Sequence, residues 1–220
     1  MQSDAIIYPI HLGLSVAFLI VGQAGPVLVD AGLAGTERPI WAALRHRGLR
    51  PQELRGVVLT HAHLDHCGCL PAVLRASGAP LAAHPLTAAC LEGGAVRIPP
   101  ARALWGQTMA AFYALFTWRL RMPDLSVDRP LADGETLDDW GLAAQVLHTP
   151  GHSTDSIALL LADGRALVGD LLTKKGRRAR PQPYFVEDDA ALAKSVARLA
   201  AQQPRVVYTG HSGRPLEPAW

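Results

Sequence analysis

The amino-acid sequence predicts an α/β fold in which two mixed β-sheets pack face to face with helices on their outer sides, an αββα sandwich. Two strand-rich halves, each closed by helical runs, favour two such sheets. With 220 residues, of which 49% are apolar, the chain can build one sizeable core but is short for two ordinary domains. We therefore expect a single domain over residues 1–220.

The N-terminal half supplies the strands of the first sheet. Apolar runs bounded by glycine or polar turn residues predict strands over residues 5–10, 16–21, 27–30, 56–60 and 80–84. Thr36 offers an N-cap for a helix that reaches about residue 47 and is closed by Gly48. Further helices are expected over residues 66–77 and after Pro85.

The C-terminal half begins with a variable segment over about residues 93–122, which is mostly helical in pattern and broken at Pro99 and Pro100. Four apolar runs then predict strands over residues 142–147, 156–161, 166–168 and 205–208. Asp163 and Gly164 form the hairpin turn between the second and third of these strands. A helix is expected over residues 188–202.

Composition limits the partners and the compartment. A net charge of +2 is too small to imply a nucleic-acid partner, and the basic run over residues 174–180 is typical of a solvated loop, or else steers an anionic substrate. The longest apolar stretch, over about residues 104–118, is too short for a membrane span. Three cysteines without CxxC spacing and no visible secretory signal lead us to expect a cytoplasmic protein.

The strongest chemical signal is the run Thr60-His61-Ala62-His63-Leu64-Asp65-His66, at the end of a predicted strand. Three imidazoles and a carboxylate in a turn can converge on cations, because zinc accepts nitrogen and oxygen ligands at about 2.0 to 2.2 Å. Four such side chains at this spacing therefore indicate a metal site.

Three later positions repeat one arrangement, in which a histidine or aspartate directly follows a glycine at or near a strand end. They are Gly151-His152, Gly169-Asp170 and Gly210-His211. Glycine lets the backbone turn sharply and approach a site closely, so it can present a ligand at the rim of a sheet. Each pair is a weak signal alone, but the series behind the histidine cluster is a strong one.

This pattern resembles the metallo-β-lactamase superfamily, and the match runs from residues 28–32 through 149–152 to 208–211. The resemblance implies two divalent metal ions, with zinc favoured and iron or manganese as alternatives. By it, the first ion is held by His61, His63 and His152, the second by Asp65, His66 and His211, and Asp170 bridges them. Asp30 resembles the family's aspartate that hydrogen-bonds and orients a ligand loop.

The same resemblance implies a hydrolase that cleaves a small ester, thioester or lactone with a metal-bound hydroxide. Two cations that share a water lower its pKa from 15.7 toward about 7. Asp65 is then the catalytic residue, because it orients the hydroxide and passes a proton to the leaving group.

Other chemistries remain open, because one fold hosts many functions. The alternatives are a persulfide dioxygenase-like iron enzyme and a β-lactam hydrolase. The secreted zinc β-lactamases differ in placing a cysteine where Asp170 stands. The partner is expected to be a small molecule, and candidate substrate-binding residues are His84, Tyr113, Phe116 and Tyr184. The segment over residues 93–122 is a lid, a pocket wall or an interface of a homodimer.

Overall fold

The computed structural model describes residues 5–91, 100–101, 107–108, 111, 122–181 and 184–220. The first sheet has the strand order β1-β2-β3-β4-β5-β6, antiparallel from β1 to β3 and parallel from β3 to β6. Its strands are β1 Ile6–His11, β2 Val16–Gly22, β3 Gly25–Val29, β4 Gly56–Leu59, β5 Leu81–Ala83 and β6 Arg129–Pro130.

The second sheet has the order β13-β10-β9-β8-β7, in which β13 is parallel to β10 and the other pairs are antiparallel. Its strands are β7 Thr136–Leu137, β8 Leu142–His148, β9 Ile157–Leu161, β10 Arg165–Leu167 and β13 Val206–Tyr208. A small third sheet contains β11 Thr173–Lys175, β12 Arg178–Arg180 and β14 Glu217–Pro218.

The described helices are α1 Arg38–Arg45, α2 Leu64–Cys67, α3 Leu70–Ser77, α4 Pro85–Leu91 and α5 Asp189–Ala201. Side chains alternate along β2: Phe18 and Ile20 join a buried layer shared with the second sheet, whereas Leu19 packs with α1 and α3. The outer face of the second sheet packs on α5 through Leu199. The sheets are therefore sandwiched between helices, as the sequence predicts.

Parallel strand directions bring the ends of several strands to one rim. Strands β3, β4 and β5 run in the same direction, so their carboxyl ends lie together. In the second sheet, β8, β10 and β13 also share one direction. Backbone hydrogen bonds join the rims of the two sheets, from the Ile157 amide to the Thr60 carbonyl (2.9 Å) and from the Val16 amide to the Gly210 carbonyl (2.7 Å).

Three local predictions are wrong. Thr36 is not the N-cap of α1, because its hydroxyl donates to the Leu33 carbonyl and Glu37 holds the cap position. The helix expected over residues 66–77 is two helices, α2 and α3, because Pro71 in the first turn of α3 has no N–H to continue the ladder. The basic run forms the hairpin β11–β12 rather than a loop, with Gly176 in its turn.

Most of the variable segment over residues 93–122 lies outside the described residues, including Tyr113 and Phe116. The structure therefore gives no position for these two predicted substrate residues. Within the part of the chain that it describes, no helix is both long and apolar enough to cross a membrane.

Candidate metal centre

The rim formed by the strand ends carries all seven predicted metal ligands. His61 follows β4, His152 follows β8, Asp170 follows β10 and His211 follows β13. They group with the remaining three, His63, Asp65 and His66, into clusters whose ligand atoms lie within 4.8 Å of one another. The topology thus brings together side chains from four separate segments of the chain.

The first cluster consists of three imidazoles. The Nε2 of His61 lies 3.1 Å from the Nδ1 of His63 and 3.2 Å from the Nε2 of His152, and the last two atoms are 2.9 Å apart. A tetrahedral zinc with bonds of about 2.0–2.1 Å has ligand atoms roughly 3.3–3.4 Å apart. The three nitrogens therefore have nearly the separation that one such ion requires.

The second cluster consists of Asp65, His66 and His211. The Oδ2 of Asp65 lies 3.7 Å from the Nε2 of His66 and 3.7 Å from the Nε2 of His211. Asp170 lies between the clusters: its Oδ2 is 2.9 Å from the Nε2 of His211 and 3.6 Å from that of His152. Its Oδ1 is 3.7 Å from the Nε2 of His66. Asp170 is thus placed to contact ions in both clusters.

Unpartnered polar atoms provide the test of whether cations fit here. Among the described residues, the Nε2 of His66 and the Oδ1 of Asp170 are buried and have no hydrogen-bond partner. Three imidazole nitrogens that face one another, as in the first cluster, cannot all be satisfied by one another's protons. Nitrogen and carboxylate donors of this kind suit divalent zinc, iron or manganese. The residues present therefore fit a pair of metal ions.

The two clusters differ in how they hold protons. The pKa values of His61, His63 and His152 lie below the ordinary imidazole value, because burial penalises the charged ring. Burial also opposes protonation of His66 and His211, but neighbouring carboxylates outweigh it. Asp65, Asp30 and Asp170 raise the pKa of His66 to about 9, and Asp170 and Asp65 raise that of His211 to about 10.

The pKa of Asp170 is shifted downward, opposite to those of His66 and His211. Burial acts against its ionisation, yet His211 and His66 hold its pKa well below the usual carboxyl range. Without metal, the two imidazoles of the second cluster are therefore protonated, and the neighbouring Asp170 carboxylate is ionised. The first cluster is a set of neutral imidazoles whose lone pairs are available.

Hydrogen bonds on the side facing away from the metal centre fix the orientation of the His152 and His211 rings. The Nδ1 of His152 lies 2.7 Å from the Phe185 carbonyl oxygen, and the Nδ1 of His211 lies 2.6 Å from that of Leu14. Because a carbonyl can only accept, each Nδ1 carries the proton and donates, and each Nε2 is directed to the centre. The Phe185 and Leu14 carbonyls left no signal in the sequence, since any residue has one.

Asp30 makes the contacts expected of a residue that orients a ligand loop. Its carboxylate accepts a hydrogen bond from the Thr60 amide (2.8 Å) and lies 2.8 Å from the Nδ1 of His66. The Thr60 hydroxyl donates to the same carboxylate and lies 3.0 Å from the Nδ1 of His61. Asp30 itself has a left-handed backbone, with φ +61°, which aspartate tolerates better than most residues.

The glycines that precede three ligands are required by the geometry. Gly151 and Gly169 have positive φ values of 135° and 49°. A methyl group on Gly210 would overlap the Asp170 carboxylate and the His66 ring. Glycine therefore permits the turn in two cases and the close approach in the third, as the sequence indicated.

Two predicted substrate residues lie outside both clusters. His84 is buried and stacks on His148, with ring centroids 3.9 Å apart and an interplanar angle of 11°. Tyr184 is 46% exposed. No described contact joins either side chain to a predicted metal ligand, so neither gains support as a substrate-binding residue.

One buried carboxylate was missed. Asp155 is 1% exposed and accepts hydrogen bonds from the Ala62 amide, the Thr87 hydroxyl and the Ser153 hydroxyl. Its position, three residues after His152 in a polar loop, was the only signal available in the sequence.

The sequence also matches known proteins. A model of the metallo-beta-lactamase superfamily matches residues 12–211. The chain is 30% identical over 201 residues to the probable metallo-hydrolase YflN of Bacillus subtilis, covering 84% of this chain and 74% of that protein. It is also 30% identical over 163 residues to a hydroxyacylglutathione hydrolase of Cereibacter sphaeroides, covering 73% of this chain and 49% of that enzyme.

Solved structures show the same fold. The crystal structure of TTHA1623 in a di-iron-bound form is 30% identical, with a TM-score of 0.70, and the match covers 96% of this chain and 94% of that one. The BLEG-1 B3 metallo-beta-lactamase has a TM-score of 0.74 at 22% identity, covering 94% and 92% of the two chains. The second likeness is one of fold alone.

Proposed function

This chain belongs to the metallo-β-lactamase superfamily, and on that premise we propose that it is a hydrolase that holds two divalent metal ions and cleaves a small ester, thioester or lactone. The observation that supports two ions best is the position of Asp170, whose two oxygens face histidines of both clusters. The thioester class is included because a related hydroxyacylglutathione hydrolase matches most of this chain.

The first ion would be held by His61, His63 and His152, and the second by Asp65, His66 and His211. Asp170 would bridge them. When bound, such ions supply Lewis acidity, which lowers the pKa of a water molecule and polarises a carbonyl group. Zinc suits these donors, and iron is retained as an alternative because a related structure is described as di-iron-bound.

The histidines contribute fixed lone pairs. The Thr60 hydroxyl donates its hydrogen bond to Asp30, so its oxygen can accept a hydrogen bond from the Nδ1–H of His61. With the proton on Nδ1, the Nε2 of His61 is unprotonated. The Phe185 carbonyl has the same effect on His152. These rings meet a cation without the need to reorient, because their tautomers are set in advance.

Asp65 receives a second role in this proposal. Its side chain is 19% exposed, whereas that of His66 beside it is fully buried, so Asp65 can contact both a ligand and water. Its carboxylate would orient the attacking water, accept its proton and deliver that proton to the departing oxygen or sulfur. The proton leaves as part of the hydroxyl or thiol group so formed, and the Asp65 carboxylate is regenerated.

Parallel assays on one preparation would test this proposal. Protein reloaded separately with zinc, iron and manganese is given panels of esters, thioesters and lactones, a β-lactam, and a persulfide with oxygen uptake recorded. We expect hydrolysis of at least one acyl class and no oxygen uptake. Oxygen uptake by the iron form, without acyl hydrolysis by any form, would instead establish the persulfide dioxygenase alternative.

A further inference from the structure

Asp155 is a buried carboxylate that the proposed chemistry does not use. Its Oδ2 accepts hydrogen bonds from the Ala62 amide (2.9 Å) and the Thr87 hydroxyl (3.0 Å), and its Oδ1 accepts one from the Ser153 hydroxyl (2.8 Å). All three donors are buried as well. A carboxylate has acceptor sites for all of them, whereas a single hydroxyl or amide oxygen has fewer.

These contacts join the two loops that form the first cluster. Ala62 lies between His61 and His63, and Ser153 directly follows His152. Asp155 therefore binds the backbone at Ala62, between His61 and His63, and also binds the side chain of Ser153, next to His152. Because these loops are about 90 residues apart in the sequence, their relative position depends on contacts between them, such as those of Asp155.

We propose that Asp155 is a positioning residue that sets the geometry of the first cluster and thereby its metal affinity. This inference rests on the proposed metal centre. If the Asp155 carboxylate were removed, the buried Ala62 amide would have to find another acceptor, because an unpaired buried N–H is costly. That movement would shift the backbone from which His61 and His63 project, and their nitrogens would lose the separation of 3.1 Å.

Asp30 gives a useful contrast, because it contacts the two ends of the same loop rather than its middle. Its carboxylate contacts the Nδ1 of His66, a residue of the second cluster, and the Thr60 amide before His61. The loop from Thr60 to His66 is thus held at both of its ends by Asp30 and at Ala62, between His61 and His63, by Asp155. Asp155 should act on the first cluster without acting on the second.

The test isolates the first cluster in a His211→Ala background, where the second cluster lacks one ligand. Zinc affinity is measured there by competition with a chromophoric chelator. Asp155→Ala should weaken zinc binding by about 10- to 100-fold, the usual effect of removing a group that orients a ligand. Asp155→Asn should restore most of the affinity, because its amide oxygen can still accept from Ala62.

Thr87→Val is the matched control. It removes the third contact of the same carboxylate but touches neither ligand loop, so it should lower stability and leave zinc affinity unchanged. In a His63→Ala background, Asp155→Ala should have no effect on the zinc that remains bound. That comparison separates an effect on the first cluster from general loosening of the fold.

Hydrogen exchange in the metal-free protein gives a readout independent of zinc. The Ala62 amide should exchange faster in Asp155→Ala, but not in Thr87→Val or Asp155→Asn. If Asp155→Ala fails to fold, Ser153→Ala replaces it, and weaker zinc binding is again expected. Unchanged zinc affinity in the folded alanine variant would overturn the inference. Absence of zinc binding by the parent protein would overturn the metal centre itself.

Discussion

Metal binding should release protons from one cluster and not from the other. The pKa values of His66 and His211 in the metal-free protein are about 9 and about 10. At pH 7, only about one His66 ring in a hundred and one His211 ring in a thousand is then neutral. Because a metal ion must displace the proton on each Nε2, the second cluster should release about two protons per ion bound.

The first cluster should behave differently. The pKa values of His61, His63 and His152 are lowered by burial, so these rings are already neutral at pH 7 and have no proton to release. Affinity for its ion should therefore change little with pH above about 7. By contrast, the second cluster should bind about a hundredfold more tightly for each unit that the pH rises from 7 toward 9, since two protons are linked to binding.

Titration calorimetry in buffers with different ionisation enthalpies measures the protons released per ion. A His211→Ala variant isolates the first cluster, and a His63→Ala variant leaves the second. We expect nearly zero protons released per ion by the His211→Ala variant. The His63→Ala variant, which keeps His66 and His211, should release more than one. His211 is 41% exposed, so solvent screens part of its attraction to Asp170. Equal proton release by the two variants would refute the assignment of charge to the clusters.

Further predictions concern the bridge, the turns and the pH profile. Asp170→Ala should lose metal from both clusters, since its carboxylate faces His66 and His211 of the second cluster and His152 of the first; elemental analysis showing loss of a single ion would contradict the bridge. Gly151→Ala should lower the free energy of unfolding by about 1–3 kcal/mol or more in a denaturant titration, because φ is +135° and a methyl group would overlap the Leu192 backbone. An unchanged midpoint would show that the loop relaxes. On acidification toward about pH 6, kcat/KM should fall as the second cluster loses its ion first; His46→Ala, at the exposed end of α1, should leave metal content and the profile unchanged.

Much of the site follows from local sequence. The run from His61 to His66 and the glycine before His152 are visible as residue letters, because ligand chemistry and backbone freedom are properties of individual residues. Strand periodicity placed each of them at a strand end. The parallel directions of β4 with its neighbours, and of β10 with β13, then bring these ends to one rim.

Contacts between distant segments were harder to predict. The bond from Asp155 to the Ala62 amide joins residues 93 positions apart, and nothing in either residue's neighbourhood specifies it. His84 was a candidate substrate-binding residue because of its place at a strand end, and its stacking on His148, 64 positions away, is another contact that the local sequence does not specify. Thr36 illustrates the same limit at short range, because the Leu33 carbonyl competes for its hydroxyl.

Stoichiometric reloading tests the central claim most directly. Metal-free protein is titrated with zinc while the hydrolysis rate of the best acyl substrate from the panel is recorded. The account predicts that activity requires metal, is abolished by a chelator, and continues to rise until two ions are bound per chain. A rate that is already maximal at one ion per chain, with no second ion taken up, would contradict the two-metal centre.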